Sequence, residues 1–495
     1  MCDAETGVDL GSEGAQMAEW QVARLIPTWG INSDAEAEMR AASATLAVIS
    51  IVREFSSALL TPLGASSARK ALVESFVEVS FKLPDGTVVR PDGLIRVTFG
   101  KNIFTALVEV KTAQNLLQAD QVNAYWEVAR QYGFNAVITI SNEIAAGNQH
   151  PTAGLKVRAN SKVQVHHFSW SRLLATAVMC KTHQGIADTE QAWILGELIR
   201  YLESGASGAV AFSDMGPNWV AVRDGAKEST LRKNSDEVRD IAQRWDQLLQ
   251  FAAMRLGSEI GADVQQVIAK AQQDPKVRHA HVVDTLCGSG VMAGVLKVPN
   301  AVGPIGLEAD LRARRVMAWV DVGAPNDRGN KARATWLLRQ IGEDVPNGLC
   351  VEVWPRQART PIVASWVEAT EDRSRLDDPD GRDVLRYRLL LRAEMGGARK
   401  TGGKAGGFVD SVVGLLDRFY GGVVQGLSPW VPTAPRLRAK DEAPSAVPAE
   451  IVDSIPDAEE AMDLATEAVL ASVRDRTSGD RGAEEAESDD ANRSG

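Results

Sequence analysis

Two strand-like segments joined by a short turn constrain the fold of this chain more than any other feature. The first segment covers residues 88–97 and contains the tetrapeptide RPDG at 90–93. The second covers residues 103–111 and ends in the tripeptide EVK at 109–111. Both segments are rich in β-branched residues, which favour extended strands, and the Gly-Lys pair at 100–101 fits a two-residue hairpin turn. The sequence therefore predicts a β-hairpin with charged residues near the strand ends that lie far from the turn.

The turn position predicts the register of this hairpin. Residues equidistant from the turn lie opposite each other, so Asp92 is expected to face Glu109 with Cβ atoms about 5 Å apart. Side chains alternate along a strand, so Lys111 shares a face with Glu109. The opposite face is expected to be buried and carries the following apolar residues: Val89, Ile95, Val97, Ala106, Val108 and Val110. Two carboxylates and one lysine are thus predicted to converge on one polar patch.

The composition of this patch points to metal-assisted chemistry on a phosphate ester. Two close carboxylates are costly to ionise together unless a cation lies between them. Hard oxygen ligands suit magnesium or manganese, and such a metal can generate hydroxide and stabilise charge on a phosphate. The Lys111 ammonium adds a compact positive charge. The simpler interpretation is a surface ion pair between Asp92 and Lys111.

The three charged residues resemble the PD-(D/E)XK nuclease superfamily. The Pro-Asp pair at 91–92 and the EVK tripeptide at 109–111 match the two halves of its motif. The following helix contains QVNAY at 121–125, which looks like the QxxxY element of the RecB-like branch. Gln121 and Tyr125 share a helix face, for which ordinary helix packing is the alternative explanation. The resemblance covers roughly residues 36–205.

The resemblance implies a restriction-endonuclease-like αβββαβ core and a magnesium-dependent (or manganese-dependent) nuclease acting on DNA. It implies that Asp92 and Glu109 bind the metal with the help of the Val110 carbonyl. Lys111 would assist water activation or stabilise charge. Gln121 and Tyr125 would position the site or the DNA backbone.

Nucleases of this superfamily often carry one more acid on the first helix, and here the assignment is open. We select Glu54, because it lies late in the helix expected to cover the polar face. Glu74 and Glu78 on the first strand are rivals. A tight turn at 84–86 would point both away from Asp92, whereas a bulge would reverse that argument. A solvated helix surface is an equally good explanation of Glu54.

Hydrophobic patterns and turn signals predict the other elements of this region. A capping-box sequence at 33–36 precedes the first helix, and Gly133 is expected to end the QxxxY helix. The predicted helices cover residues 36–60, 114–132 and 189–202, with another beginning near residue 169. The predicted strands cover residues 72–83, 88–97, 103–111, 135–141 and 163–168.

The sequence divides into five parts. We predict a flexible N-terminus at 1–33, a nuclease-like domain at 34–205, a linker at 206–230, a mixed α/β or α+β domain of unknown role at 231–440, and an acidic tail at 441–495. The predicted helices of the second domain cover residues 235–256, 262–271, 331–341 and 408–424. Its predicted strands cover residues 290–298, 316–322, 349–354, 361–368 and 385–392.

The tail accounts for the acidity of the whole chain. It holds 16 acidic and 4 basic residues, whereas the net charge of all 495 residues is −11, so the rest of the chain is nearly neutral. Its composition predicts that most of it is disordered, with one short amphipathic helix at 457–473. It would act as a solubilising segment or as an electrostatic competitor for the DNA site.

Composition narrows the broad class of the protein. The charged fraction of 24% and apolar fraction of 44% are typical of soluble proteins, and no apolar run is long enough for a membrane span. The N-terminus is acidic and lacks the pattern of a signal peptide. The cysteines are far apart in sequence, which argues against a disulfide framework or a zinc site and favours the cytoplasm. They are Cys2, Cys180, Cys287 and Cys350.

These observations together predict a cytoplasmic, metal-dependent nuclease whose partner is nucleic acid, DNA in the first instance, and not a membrane. The alternative is a non-catalytic protein that keeps the nuclease fold and binds nucleic acid or protein. The sequence leaves open DNA versus RNA, endonucleolytic versus exonucleolytic cleavage, and the oligomeric state.

Overall fold

The computed structural model describes residues 24–432 except 84, 146–149, 159, 343–344 and 403–405. The predictions for the acidic tail and for most of the flexible N-terminus fall outside the described residues. Within the described ranges the protein is a mixed α/β structure built on a five-stranded sheet, a seven-stranded sheet and a two-stranded ribbon. Each of the two large sheets carries its own hydrophobic core.

The five-stranded sheet belongs to the region predicted to be nuclease-like. Its helices are α1 (Asp34–Ile51), α2 (Arg53–Leu60), α3 (Ala119–Gln131), α4 (Trp170–Val178) and α5 (Thr189–Glu203). The strands of the region are β1 (Leu72–Val77), β2 (Phe81–Lys82), β3 (Val88–Val89), β4 (Gly93–Phe99), β5 (Asn102–Val110), β6 (Ala136–Ser141) and β7 (Gln164–Ser169). The sheet order is β1-β4-β5-β6-β7, with β2 and β3 forming the separate ribbon.

The central hairpin has the register predicted from its turn. Gly93 lies opposite Val108 and Leu94 opposite Leu107, which are pairs equidistant from the turn. Gly100 adopts a positive φ of 59°, as the tight turn requires. Strand β6 then runs parallel to β5, and β7 parallel to β6. The carboxyl ends of β5, β6 and β7 therefore meet at one edge of the sheet.

Both faces of this sheet are covered, so the face opposite the predicted apolar one is buried as well. The predicted apolar face packs against α1, α2, α4 and α5, through Ile95, Val97, Ala106, Val108 and Val110. The other face packs against α3, where Leu94 and Leu107 contact the cluster of Tyr125 and Trp126. Val89 joins this second cluster, because β3 is separated from β4 by the RPDG tetrapeptide and does not continue its alternation.

The predicted first strand at 72–83 is two strands rather than one. Glu78 breaks it with a left-handed backbone (φ 54°), so that β1 ends at Val77 and β2 pairs with β3 in the ribbon. Strand β1 places Val77 opposite Gly93, which shifts the register by one residue from that of a tight hairpin at 84–86. Extending this register brings Glu78, not Val79, opposite Asp92. The irregularity acts as a bulge would.

The predicted helix at 36–60 is also divided in two. Val52 has an extended backbone, and the two helical segments meet at 104°. The Ser33 hydroxyl caps α1 by accepting from the Glu36 N–H at 3.3 Å, but the Glu36 carboxylate accepts from Asn32 N instead of completing the predicted capping box. No single helix in the described part of the chain is long and apolar enough to cross a membrane. One bent pair, formed by α1 and by α2 with the turn after it, passes the same test by length and composition alone.

The second region forms a fully antiparallel sheet with helices packed on it. Its helices are α6 (Trp219–Lys227), α7 (Asp236–Ile260), α8 (Pro275–Ser289), α9 (Asn330–Leu338), α10 (Trp366–Glu371) and α11 (Phe408–Gly422). Its strands are β8 (Gln265–Val267), β9 (Val291–Lys297), β10 (Ile305–Asp310), β11 (Arg315–Gly323), β12 (Leu349–Pro355), β13 (Ile362–Ser365) and β14 (Val384–Glu394). The sheet order is β13-β12-β14-β11-β10-β9-β8.

Three predictions for the second region and its linker need correction, and two elements are not predicted. The predicted helix at 262–271 is strand β8 followed by a 3-10 turn, and the sequence patterns do not predict α8 and β10. The predicted strand at 361–368 stops at Ser365, whose side chain caps α10. The predicted linker at 206–230 contains α6, because Trp219, Val222 and Ala226 form a buried helical stripe in the main core.

The glycine that follows Asp92 is required by close packing. A Cβ atom at Gly93 would lie 2.3 Å from Leu46 Cδ1 and 2.9 Å from the Phe76 carbonyl oxygen. The leucine can move, but the carbonyl belongs to the paired strand β1 and cannot.

We predict that Gly93→Ala lowers the free energy of unfolding by about 1–3 kcal/mol through overpacking. Gly288→Ala is the matched control, because a Cβ there meets nothing within 4 Å and alanine favours its helix. Urea denaturation of both variants checks this. Equal midpoints for Gly93→Ala and the parent protein would contradict the packing argument.

Candidate active site

The two carboxylates of the predicted patch are brought together by a backbone hydrogen bond. Asp92 immediately precedes β4, and its Oδ2 accepts from the Val110 N–H at 2.7 Å. Glu109 is the next-to-last residue of β5 and is only 1% exposed. Val110 thus contributes its N–H to Asp92 while standing between Glu109 and Lys111.

Lys111 lies between two acids. Its Nζ is 2.6 Å from Glu109 Oε1 and 3.2 Å from Glu38 Oε1. Its backbone is held on both sides, because the N–H donates to the Ile140 carbonyl at 2.8 Å and the carbonyl accepts from Trp170 Nε1 at 2.8 Å. The ammonium group therefore stays directed at the carboxylates.

Glu38 supplies the helix acid that the sequence argument assigns to Glu54. Besides contacting Lys111, Glu38 Oε2 accepts from the Thr112 N–H at 3.3 Å and from Asn115 Nδ2 at 2.7 Å. Glu54 lies past the bend in α2, near Cys180, whose thiol pKa is raised to about 11 by burial and further by the Glu54 charge. Because the predicted helix divides at Val52, the acid that reaches Lys111 belongs to the first half, α1.

Glu38 lies on the inward face of α1, which the structure reveals and the rules for the hairpin do not. The residues four and seven positions later, Ala42 and Thr45, are fully or nearly buried. Glu38 therefore belongs to the stripe of α1 that faces the protein interior. An acid on an otherwise buried stripe needs a partner, and the strand-end lysine provides it.

The two rival acids of the predicted first strand lie elsewhere. Glu74 pairs with Arg96, which is four residues beyond Asp92 along the chain. Glu78 falls opposite Asp92 in the extended register, but it forms the backbone break between β1 and β2. Neither is among the residues that contact Lys111.

Gln121 and Tyr125 position the tetrapeptide that carries Asp92. Gln121 Nε2 donates to the Tyr125 hydroxyl at 2.8 Å, and that hydroxyl donates to the Arg90 carbonyl at 3.1 Å. Tyr125 is 3% exposed, and its pKa is raised by burial and by the nearby Glu109 charge. The pair therefore connects α3 to the residues just before Asp92, which fits a positioning role.

Burial disfavours the ionised form of both carboxylates. Burial and then the Asp92 charge raise the pKa of Glu109 to about 7, against the opposing effect of Lys111. Burial also raises the pKa of Asp92, opposed by the Val110 N–H and by Lys111. Burial alone would lower the pKa of Lys111, but its interactions with Glu109, Glu38 and Asp92 raise it. The lysine is therefore charged, and the carboxylates gain from an added cation.

The polar neighbour of Glu109 on the next strand is already engaged. Thr139 pairs with Glu109 between β5 and β6, and its hydroxyl contacts His150 Nε2 at 2.8 Å and His167 Nδ1 at 3.0 Å. Burial lowers the pKa of His150 to about 4 and that of His167 to about 3, so both imidazoles are neutral at pH 7. This network leaves Glu109 without a hydroxyl donor from Thr139.

The donor set fits a divalent cation that keeps several of its waters. Both oxygens of Glu109 are buried and lack a directional hydrogen bond among the described residues, and the Lys111 contact is an ion pair without hydrogen-bond geometry. Within the described ranges no three or more His, Cys, Asp or Glu side chains form a ready-made metal cluster. Asp92 and Glu109 are two ligands, and magnesium commonly takes only one or two carboxylates with water in the other positions.

The raised pKa of Glu109 predicts a specific dependence of stability on pH. The folded protein holds the Glu109 proton up to about pH 7, above the ordinary value of 4.5, so this group's contribution to stability is full below pH 4.5 and is lost as pH rises through 7. Glu109→Gln stays neutral. Between pH 4.5 and pH 7, the unfolding free energy of this variant should therefore rise relative to that of the parent protein, by on the order of 3 kcal/mol. Urea titrations at several pH values measure this, and a difference that does not change with pH would contradict it.

Comparisons of this chain with protein-family models, with curated proteins and with solved structures found no match.

Proposed function

We propose that this protein is a magnesium-dependent or manganese-dependent phosphodiesterase that cleaves DNA. The observation that carries the proposal is the convergence of Asp92 and Glu109 beside Lys111, with the buried Glu109 oxygens free of directional hydrogen bonds among the described residues. The resemblance of these residues to the PD-(D/E)XK motif supports it. So does the order of elements from α1 to β6, which is compatible with an αβββαβ core if the β2–β3 ribbon is an insertion.

Each residue of the site has a distinct part in the proposed reaction. Asp92 and Glu109 hold the cation, and Val110 keeps them adjacent through its N–H and would offer its carbonyl. A bound cation supplies a low-pKa water and stabilises charge on the scissile phosphate. Lys111 places an ammonium at the same point, and Glu38 orients that ammonium. Gln121 and Tyr125 fix the tetrapeptide that presents Asp92.

The direct test is incubation of the purified protein with linear, circular and single-stranded DNA in magnesium, manganese or EDTA. Metal-dependent cleavage that EDTA abolishes supports the proposal. Nicking of circular DNA would identify an endonuclease, and cleavage restricted to linear substrates an exonuclease. Intact DNA under all metal conditions, with protein that remains folded, would overturn it.

A non-catalytic protein with this fold is the second candidate, and one observation favours it. The chain of charges from Glu109 through Lys111 to Glu38 is a partly buried ion-pair network that could serve structure alone. In that case the lysine would neutralise Glu109 and leave nothing to attract a cation. Metal affinity and turnover in variants of Glu109 and Lys111 separate the two candidates.

Replacing Glu109 by Ala removes one of the two proposed ligands. We predict that magnesium binding measured by calorimetry is abolished and that cleavage falls by orders of magnitude. Glu371→Ala is the control, because it removes an exposed acid at the end of α10, in the second region. Unchanged magnesium binding in Glu109→Ala would show that Glu109 is not a ligand.

Replacing Lys111 by Ala separates chemistry from metal binding. An ammonium is not a metal ligand, so magnesium should still bind, and more tightly if the cation replaces the missing positive charge. Turnover should fall strongly. Lys111→Arg should rescue it poorly, because a planar guanidinium does not replace a compact ammonium. Near-normal turnover in Lys111→Ala would favour the structural role.

A further inference from the structure

A second, basic groove lies at the other end of α3 from the candidate active site. The groove encloses about 740 Å³ and is lined chiefly by Trp126, Arg130, Phe134, Lys156, Arg158 and Lys162. We infer that this basic groove binds the phosphate backbone of DNA and gives the substrate a second contact. The inference rests on the proposed function and extends it to how the substrate is held.

The charged side chains that line the groove are all basic. Lys156, Arg158 and Lys162 are exposed, and among the described residues none of the three forms an ion pair. Arg130 does pair with Glu127 at 3.3 Å, but both side chains are about half exposed, so the pair is weak. No acidic side chain lines the groove in the described ranges. A polyanion fits this surface, because each cation that meets a phosphate releases counterions.

The groove is built on rigid supports. The segment that carries its lysines is tied to α3 by three hydrogen bonds from nearly buried side chains. Asn123 Oδ1 accepts from the Lys156 N–H at 2.9 Å, and Asn123 Nδ2 donates to the Gly154 carbonyl at 3.3 Å. Trp126 Nε1 donates to the Val163 carbonyl at 3.1 Å. Both ends of the basic segment are therefore fixed before any ligand arrives.

Aromatic side chains lie among the cations. The Arg130 guanidinium is 4.8 Å from the centre of the Trp126 ring, which holds the charge over an aromatic face. Phe134 stacks with the half-exposed Tyr132 at 5.8 Å and packs edge-on against Phe81. Interleaved aromatics and cations are the composition of nucleic-acid surfaces.

The helix connects this groove to the site. Gln121 stands at the start of α3 and Arg130 at its end, so they are about 14 Å apart along the axis. That span equals about four base pairs of duplex, at 3.4 Å per pair along one strand. One DNA molecule can therefore contact the groove and the candidate active site together.

The inference is tested by binding without cleavage. A fluorescent duplex of about 20 base pairs is titrated in EDTA between about 50 and 200 mM salt, and the slope of log affinity against log salt is measured by anisotropy. The triple variant K156A/R158A/K162A should lower the magnitude of the slope by about 0.9 for each phosphate that is no longer neutralised. The control K227A/R232A/K276A removes the same charge from exposed positions in the second region and should leave the slope near that of the parent.

The outcomes of this test are distinct from those of the cleavage test. Equal slopes for the two triple variants would overturn the inference, and so would absence of DNA binding by the parent protein. The variant K156R/K162R retains the positive charge and should keep the slope, and a reduced slope there would also overturn the inference. Groove-dependent binding without cleavage in magnesium would defeat the proposed function and leave the groove assignment standing. Cleavage of DNA together with an unaltered slope in K156A/R158A/K162A would defeat the groove assignment and leave the proposed function standing.

Discussion

The candidate site depends on the hydrogen bond from the Val110 N–H to Asp92 Oδ2. This bond joins the start of β4 to the end of β5, beyond the last residue pair of the hairpin ladder. It keeps the Asp92 carboxylate beside Glu109 although their charges repel. Tyr125 supports it from α3 by holding the Arg90 carbonyl, and Gly93 permits β4 to begin directly beneath Leu46 of α1. The polar site is thus a consequence of hairpin register.

Register explains which parts of the site can be predicted from the sequence. A two-residue turn at Gly100 determines every pair of the hairpin, so the opposition of Asp92 and Glu109 follows from local rules. Glu38 cannot be found in this way, because its position depends on where α1 stops. The sequence at the bend contains neither proline nor glycine, and Val52 itself is fully buried in the core. The choice of Glu54 assumes one straight helix.

The same distinction holds in the second region. Long, strongly patterned segments such as α7, β11 and β14 are predicted within a few residues of their bounds. Strand β10 escapes prediction because its six residues include Gly306, which weakens a strand pattern. That glycine is required by the ring of Trp319, which would lie 2.2 Å from a Cβ there. A tertiary contact thus replaces the local signal at Gly306.

Helix α3 connects the candidate site to the neighbouring elements through hydrogen bonds and packing. Tyr125 holds the Asp92 tetrapeptide, while Asn123 and Trp126 anchor the basic segment. The buried face of the helix packs on the sheet that carries Glu109. The same helix therefore holds both the basic groove and the residues that position Asp92. If the protein has the proposed nuclease activity, contacts with DNA at the far end of α3 would bear on the geometry of Asp92, because catalytic groups tolerate little displacement.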